Sequence, residues 1–157
     1  MAEPRAGRTA RPRRAVVDSG PLLALFNAAD HWHAPVLAWL REHPGVRLVG
    51  TWPVLTEVCA LLARRLGNEA ALDFLRWVQR GAIEVDIPNA ATLSDVLAIS
   101  ERFADLPFDL ADASVAETAA RLNIDAVVSI DSDFEVYRDK TGRRLVNLLG
   151  LPTRRRR

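Results

Sequence analysis

At 157 residues, with 49% hydrophobic and 26% charged side chains, the chain has the size and balance of a single folded domain. A single cysteine, Cys59, excludes an internal disulfide framework and a cysteine-rich zinc site, and it fits a reducing compartment. No apolar run approaches the roughly 18 residues of a membrane span, and Asp18 breaks the run behind the N-terminal arginines before a signal-peptide core forms; a cytoplasmic protein without a membrane partner is expected.

The net charge of +1 conceals an asymmetry. Residues 1–14 carry +4 and Arg154 to Arg157 another +4, which leaves residues 15–153 at −7. The first 14 residues, rich in Arg, Pro and Ala without periodicity, read as a disordered basic arm, residues 15–150 as the folded domain, and residues 151–157 as a basic tail. Basic ends of this kind hold a polyanion by counterion release.

Ala15-Val16-Val17 reads as a buried strand ending at Asp18, and Ser19-Gly20-Pro21 leads into a helix that ends near Asn27, with Pro21 in its first turn. Asp30 is expected to cap a second helix over residues 31–42, with Val36, Leu37 and Leu40 inward and Pro44-Gly45 as its stop. His31 and His33 lie two apart and so point to different faces, which argues against a metal pair. Val46 to Val49 forms the next strand. Thr51 caps a helix whose core face is Trp52, Leu55, Val58, Cys59 and Leu62, closed by Arg64-Arg65-Leu66-Gly67. Asn68 opens a helix through about Gln79, with Ala71, Leu72, Leu75 and Val78 inward. Ile83 to Ile87 alternates as a strand stopped by Pro88, and a helix over residues 90–103 follows. Asp109 caps Leu110 to Leu122, Ala126 to Ile130 is a second apolar strand ending in an acid, Asp131, and Leu145 to Leu149 is the last strand. Strands alternating with helices predict an α/β domain with a mainly parallel sheet and helices on both faces.

Asp18 and Asp131 both end buried strands, and in a parallel sheet those ends share the edge where α/β proteins place ligands. Glu57, between Val54 and Leu61 on its helix, flanks an apolar stripe, and Asp112 heads the face Val115, Ala116, Ala119. Four such acids brought together repel by roughly 3 kcal/mol per pair at about 5 Å. That cost is relieved by protons or by a cation among the oxygens. Oxygen ligands without His or Cys select Mg²⁺ or Mn²⁺. Each acid also has a purely structural reading: Asp18 as a helix cap, Asp112 as a helix-dipole partner, Asp131-Ser132-Asp133 as an Asx turn, and Glu57 as a solvated helix acid.

The chain resembles a PIN-domain ribonuclease, most closely a VapC-like toxin of a type II toxin–antitoxin system, over nearly all of Ala15 to Leu149. The resemblance rests on Asp18-Ser19-Gly20 after the first strand and on Val54-Leu55-Thr56-Glu57-Val58. It continues in Asp112-Ala113-Ser114-Val115-Ala116 and in Ser129-Ile130-Asp131-Ser132-Asp133-Phe134. The Asp30-His31-Trp32-His33-Ala34 region is also similar; Ser129 stands where threonine is more usual, and the arginine-rich ends fall outside the pattern. The resemblance implies a three-layer α/β/α sandwich and Mg²⁺-dependent hydrolysis of RNA by metal-activated water. Asp18 and Asp112 would be the principal ligands, with Glu57 and Asp131 completing the metal and catalytic site, Asp131 being preferred to Asp133 because it ends the apolar run. Ser19 and Ser129 would orient the carboxylates. A homodimer and a cognate antitoxin with a basic or apolar segment are also implied.

Three other readings compete. A phosphoacceptor signalling module clusters acids in the same way but needs a lysine at the end of a late strand, and Lys140 is the chain's sole lysine. An Asp-nucleophile phosphatase needs a second Asp two residues after the first, where Asp18 is followed by Ser19-Gly20. A non-catalytic PIN-like binding protein would keep the fold without the chemistry.

Overall fold

Ala15, Val16 and Val17 leave at most 1% of their surface to solvent, which is the signature of a strand covered on both faces. In the computed structural model, which describes residues 13–106 and 108–150, they form β1 (Arg14–Val17) at the centre of a five-stranded sheet. Its companions are β2 (Arg47–Gly50), β3 (Glu84–Val85), β4 (Ala126–Val128) and β5 (Val146–Asn147). The order is β3-β2-β1-β4-β5 and every pairing is parallel, with Val16 opposite Val49 on one side and Val127 on the other.

The chain steps outward from β1 through β2 to β3, then returns across the sheet to β4. Right-handed crossovers in opposite directions place their helices on opposite faces. One layer comprises α1 (Ser19–Phe26), α2 (His33–Glu42), α3 (Trp52–Leu66) and α4 (Asn68–Trp77); the other comprises α5 (Ala90–Arg102) and α6 (Leu110–Arg121). Helix α6 is buried from Ala111 to Ala119. Its Ala111, Val115 and Ala119 join the main core, while Ala113 and Ala116 pack with Val96, Ile99 and Tyr137. Small residues on two faces let it lie between the sheet and α5.

The expected α/β/α architecture is present, with local differences. On α2 the buried pair is Val36 and Trp39, and Leu37 is only half-buried; the Trp39 indole N–H reaches the Leu148 carbonyl at 2.8 Å, an anchor that leucine lacks. That helix starts at His33, because Asp30 spends its carboxylate on the Trp32 N–H in a turn before it. On α4 the inward residues are Ala71 and Phe74, and Leu72 and Leu75 are exposed. Both stripes have helical spacing, and Phe74 wins by packing edge-on against Phe26. Trp52 is 55% exposed, since α3 turns Val54, Leu55, Val58 and Leu62 to the core instead. A π-helical turn over Val78–Ala82 follows α4 and is closed by Gly81 at φ +89°, a conformation that favours glycine. The strands expected over 83–87, 126–130 and 145–149 are shorter, and a one-turn helix α7 (Asp133–Val136) follows Asp131. Cys59 is half-buried beside the core, and burial raises its thiol pKa. Arg14, read with the basic arm, opens β1 and pairs with Glu84 at 2.6 Å. Residues 1–12 of the arm and the tail, residues 151–157, lie outside the described residues.

Candidate active site

The strand order reverses between β1 and β4, so the chain leaves their carboxyl ends in opposite directions and opens a crevice there. Asp18 is the first residue beyond β1. Its backbone N–H continues the ladder to the Val128 carbonyl at 3.0 Å, and its side chain caps α1 by accepting from the Ser19 N–H at 2.7 Å. The second carboxylate oxygen accepts from the Ser129 hydroxyl at 2.9 Å. Only 5% of Asp18 is exposed. Burial pushes its carboxyl up to about 6 against the pull of those two hydrogen bonds, and the charges of Asp131 and Glu57 push the same way.

Gly20 makes this approach possible. A Cβ there would lie 2.5 Å from Cγ1 of Ile130, so the first turn of α1 meets the segment after β4 only because the side chain is missing. Ser19, between Asp18 and Gly20, donates its hydroxyl to Oε2 of Glu57 at 2.5 Å. Glu57 is half-buried on α3, so it is not a solvated helix acid.

Asp131 is 8% exposed. Its N–H donates to Oγ of Ser129 at 2.9 Å, and its Oδ1 accepts from the Asp133 N–H at 3.1 Å. Ser129 therefore touches both strand-ending acids. The Asx-turn reading of Asp131 holds as well, since that second bond starts α7.

Asp112 lies in the first turn of α6, whose last residue leads back to the start of β4 and whose first turn therefore lies at the opposite, acid-bearing edge. Thr51 at the start of α3 fixes that end: its hydroxyl caps the helix and meets the Ser114 hydroxyl at 2.6 Å. Asp112 is 6% exposed, and its Oδ2 accepts from the Asp109 N–H at 3.3 Å in a reciprocal capping box. The dipole-and-cap reading of Asp112 is thus observed.

Elsewhere, a buried acid and a partly buried one are neutralised by a cation. Glu117, one turn beyond Ser114, and Asp86 after β3 are both held by Arg121, whose Nε lies 2.7 Å from Glu117. Sequence reading missed this trio, although Glu117 and Arg121 stand at the i, i+4 spacing of an ion pair. Among the described residues no ion pair involves Asp18 or Glu57.

The donors at the crevice are all oxygens, and one carboxylate resists ionisation chiefly because it is buried, with the charges of Asp131 and Glu57 adding to the effect; that chemistry fits a hard divalent cation. Among the described residues, no three acidic, histidine or cysteine side chains form a group arranged to hold a metal ion. The named carboxylate oxygens are turned instead toward protein donors: Ser19, Ser129, Asp109 and Asp133. His33 sets its Nδ1 2.8 Å from the Ala24 carbonyl.

The PIN domain family model matches residues 15–140, and the chain belongs to that family. A curated relative, the ribonuclease VapC26 of Mycobacterium tuberculosis, is 29% identical over 116 residues, which span 74% of this chain and 85% of the relative. Among solved structures, the chain is similar to Mycobacterium tuberculosis VapC20, described as a toxin that cleaves the sarcin-ricin loop. The TM-score is 0.74 at 22% identity, covering 84% of this chain and 98% of that one. A second likeness, to FitAcB of Neisseria gonorrhoeae, has a TM-score of 0.50 at 18% identity over 75% of this chain and 88% of the other. Among the described residues no helix is long and apolar enough to cross a membrane.

Proposed function

We propose that this chain is a Mg²⁺-dependent endoribonuclease, the toxin component of a VapC-like toxin–antitoxin module acting in the cytoplasm. Asp18, Glu57, Asp112 and Asp131 are its metal-holding and catalytic residues. The observation that carries the reading is Asp18, a buried carboxylate at the sheet's switch point with its carboxyl pushed up to about 6 beside Asp131 and Glu57. Membership of the PIN family and similarity to a curated ribonuclease point the same way.

When bound, Mg²⁺ or Mn²⁺ supplies positive charge and Lewis acidity at the scissile phosphate. The chain's own residues prepare the place. The Ser19 N–H and the Ser129 hydroxyl fix both oxygens of Asp18, the Ser19 hydroxyl orients Glu57, and Thr51 with Ser114 sets the helix that bears Asp112. Their oxygens hold the ion by carboxylate charge, and the hydrogen bonds from neutral hydroxyl and amide donors limit the rearrangement needed.

The partners follow from surface chemistry. A domain body of charge −7 repels RNA, which gives the basic ends a role in substrate capture, and it attracts an antitoxin with a basic segment. Trp52, Leu93 and Leu110, each more than half exposed, border a cavity of about 170 Å³ beside this edge, and Ile87 and Leu97 extend the apolar surface. We assign that surface to the second subunit of a homodimer. Binding without catalysis is the second reading, and it draws on Asp112, whose carboxylate serves its own helix cap.

The test is labelled RNA incubated with purified protein in Mg²⁺, in EDTA, and as Asp18→Asn in Mg²⁺. Cleavage confined to the first sample is expected; equal cleavage in all three overturns the assignment.

A further inference from the structure

In a parallel ladder, alternate residues of β4 bond toward β5. The carbonyls of Asp125 and Val127 accept from the N–H groups of Val146 and Leu148, at 2.7 and 2.9 Å. Ser129 is next in that series, and the rung it needs is missing: the Leu148 carbonyl is taken by the Trp39 indole. The Asn147 side chain fills the place. Its Oδ1 accepts from the Ser129 N–H at 3.2 Å and its Nδ2 donates to the Ser129 carbonyl at 2.8 Å. Oδ1 also accepts from the Leu149 N–H at 3.2 Å, so two N–H groups and one carbonyl fix which end of the amide is oxygen. One side chain thus bonds both backbone groups of the residue whose hydroxyl joins Asp18 to Asp131.

We infer that Asn147 is a positioning residue for the acid cluster: its amide serves as the last rung of the sheet, fixes the Ser129 peptide, and through the Ser129 hydroxyl sets the spacing of the Asp18 and Asp131 carboxylates. The hydrogen bonds of the Asn147 amide go to the backbone of Ser129 and Leu149. The inference deepens the nuclease reading and rests on it for its metal-binding consequence, while the consequence for the Ser129 peptide is independent of metal. Partners that orient ligating carboxylates typically change metal affinity by about 10–100-fold when removed.

The experiment compares wild type, Asn147→Leu, Asn147→Asp and Leu149→Ala. The last truncates a buried neighbour on the same segment without touching Ser129, and so reports simple destabilisation. In EDTA, amide hydrogen exchange is expected to speed up at Ser129 and Asp131 in Asn147→Leu, with β1 and the rest of β4 still protected. Asn147→Asp keeps an acceptor oxygen and so keeps the Ser129 amide slower than in Asn147→Leu. By calorimetry below the melting range, Asn147→Leu binds Mg²⁺ at least about tenfold more weakly than wild type, and Leu149→Ala does not. Unchanged exchange at Ser129, or equal loss of Mg²⁺ affinity in Leu149→Ala, overturns the inference. Wild type that binds no Mg²⁺ and cleaves no RNA sinks the nuclease reading instead, and the exchange data still decide the role of Asn147.

Discussion

Ser129 donates its hydroxyl to Oδ2 of Asp18 at 2.9 Å across 111 residues of sequence, and both residues are buried. That bond ties the residue after β4 to the residue after β1, and because the same hydroxyl accepts from the Asp131 N–H, it links the Asp18 carboxylate to the Asp131 backbone. Removing the hydroxyl leaves an Asp18 oxygen and the Asp131 N–H without this partner. Ser129→Ala is therefore expected to lose about 1–3 kcal/mol of stability and about tenfold in Mg²⁺ affinity. Ser129→Thr keeps the oxygen and is expected to retain that affinity. Urea unfolding in EDTA and calorimetry in Mg²⁺ read the two effects separately.

The raised carboxyl of Asp18 makes the metal-free protein's stability depend on pH. Its folded pKa, about 6, lies above the ordinary value of 3.8, so the folded state binds the proton more tightly. The contribution is fully present below pH 3.8 and is lost as pH rises to about 6. Asp18→Asn carries no such charge and in EDTA at pH 7.5 is expected to be about 2–3 kcal/mol more stable than wild type. The advantage disappears near pH 4. Unfolding midpoints at the two pH values check this, and equal advantage at both would assign it to something other than ionisation.

Gly20→Ala puts a methyl group 2.5 Å from Cγ1 of Ile130, a partly buried branched side chain packed against the core, which cannot retreat without cost. A loss of about 1–3 kcal/mol is expected. Pairing it with Ile130→Ala, which removes the clashing atoms, should recover part of that loss in a double-mutant cycle of melting midpoints.

Arg121 neutralises Glu117, which is 3% exposed, and Asp86. Arg121→Leu strands both acids, and about 2–4 kcal/mol of stability is expected to go with it. Adding Glu117→Gln to that variant should restore some of the loss at pH 7.5. If Arg121→Leu unfolds at the wild-type midpoint, the trio is only a surface contact.

The strand-ending acids were legible because Val16-Val17 and Val127-Val128 are runs that belong only in a covered sheet, and whatever follows such a run emerges at its edge. The alternation of strands and helices and the capping roles of Thr51 and Asp109 follow from similarly local signals, whereas the order of the strands comes from the structure alone. What the sequence hid depends on long-range choices. Leu72 and Leu75 have the spacing of a core stripe, and only the packing of Phe74 against Phe26 decides that they face outward. The Asn147 clamp was invisible because an asparagine inside the expected strand Leu145 to Leu149 gives no sign of its side-chain partner 18 positions away. Glu57 was recoverable from its apolar neighbours, but its hydroxyl donor, Ser19, lies 38 residues away.

The central claim is that Asp18, Glu57, Asp112 and Asp131 hold a divalent ion, and the most direct measurement is the shift in unfolding free energy caused by Mg²⁺. At a hundredfold excess over Kd the wild-type protein is expected to gain about 2.7 kcal/mol, and Asp18→Asn and Asp112→Asn to lose most of that gain while remaining folded in EDTA. A wild-type protein indifferent to Mg²⁺, or an equal gain in Asp18→Asn, would contradict the account.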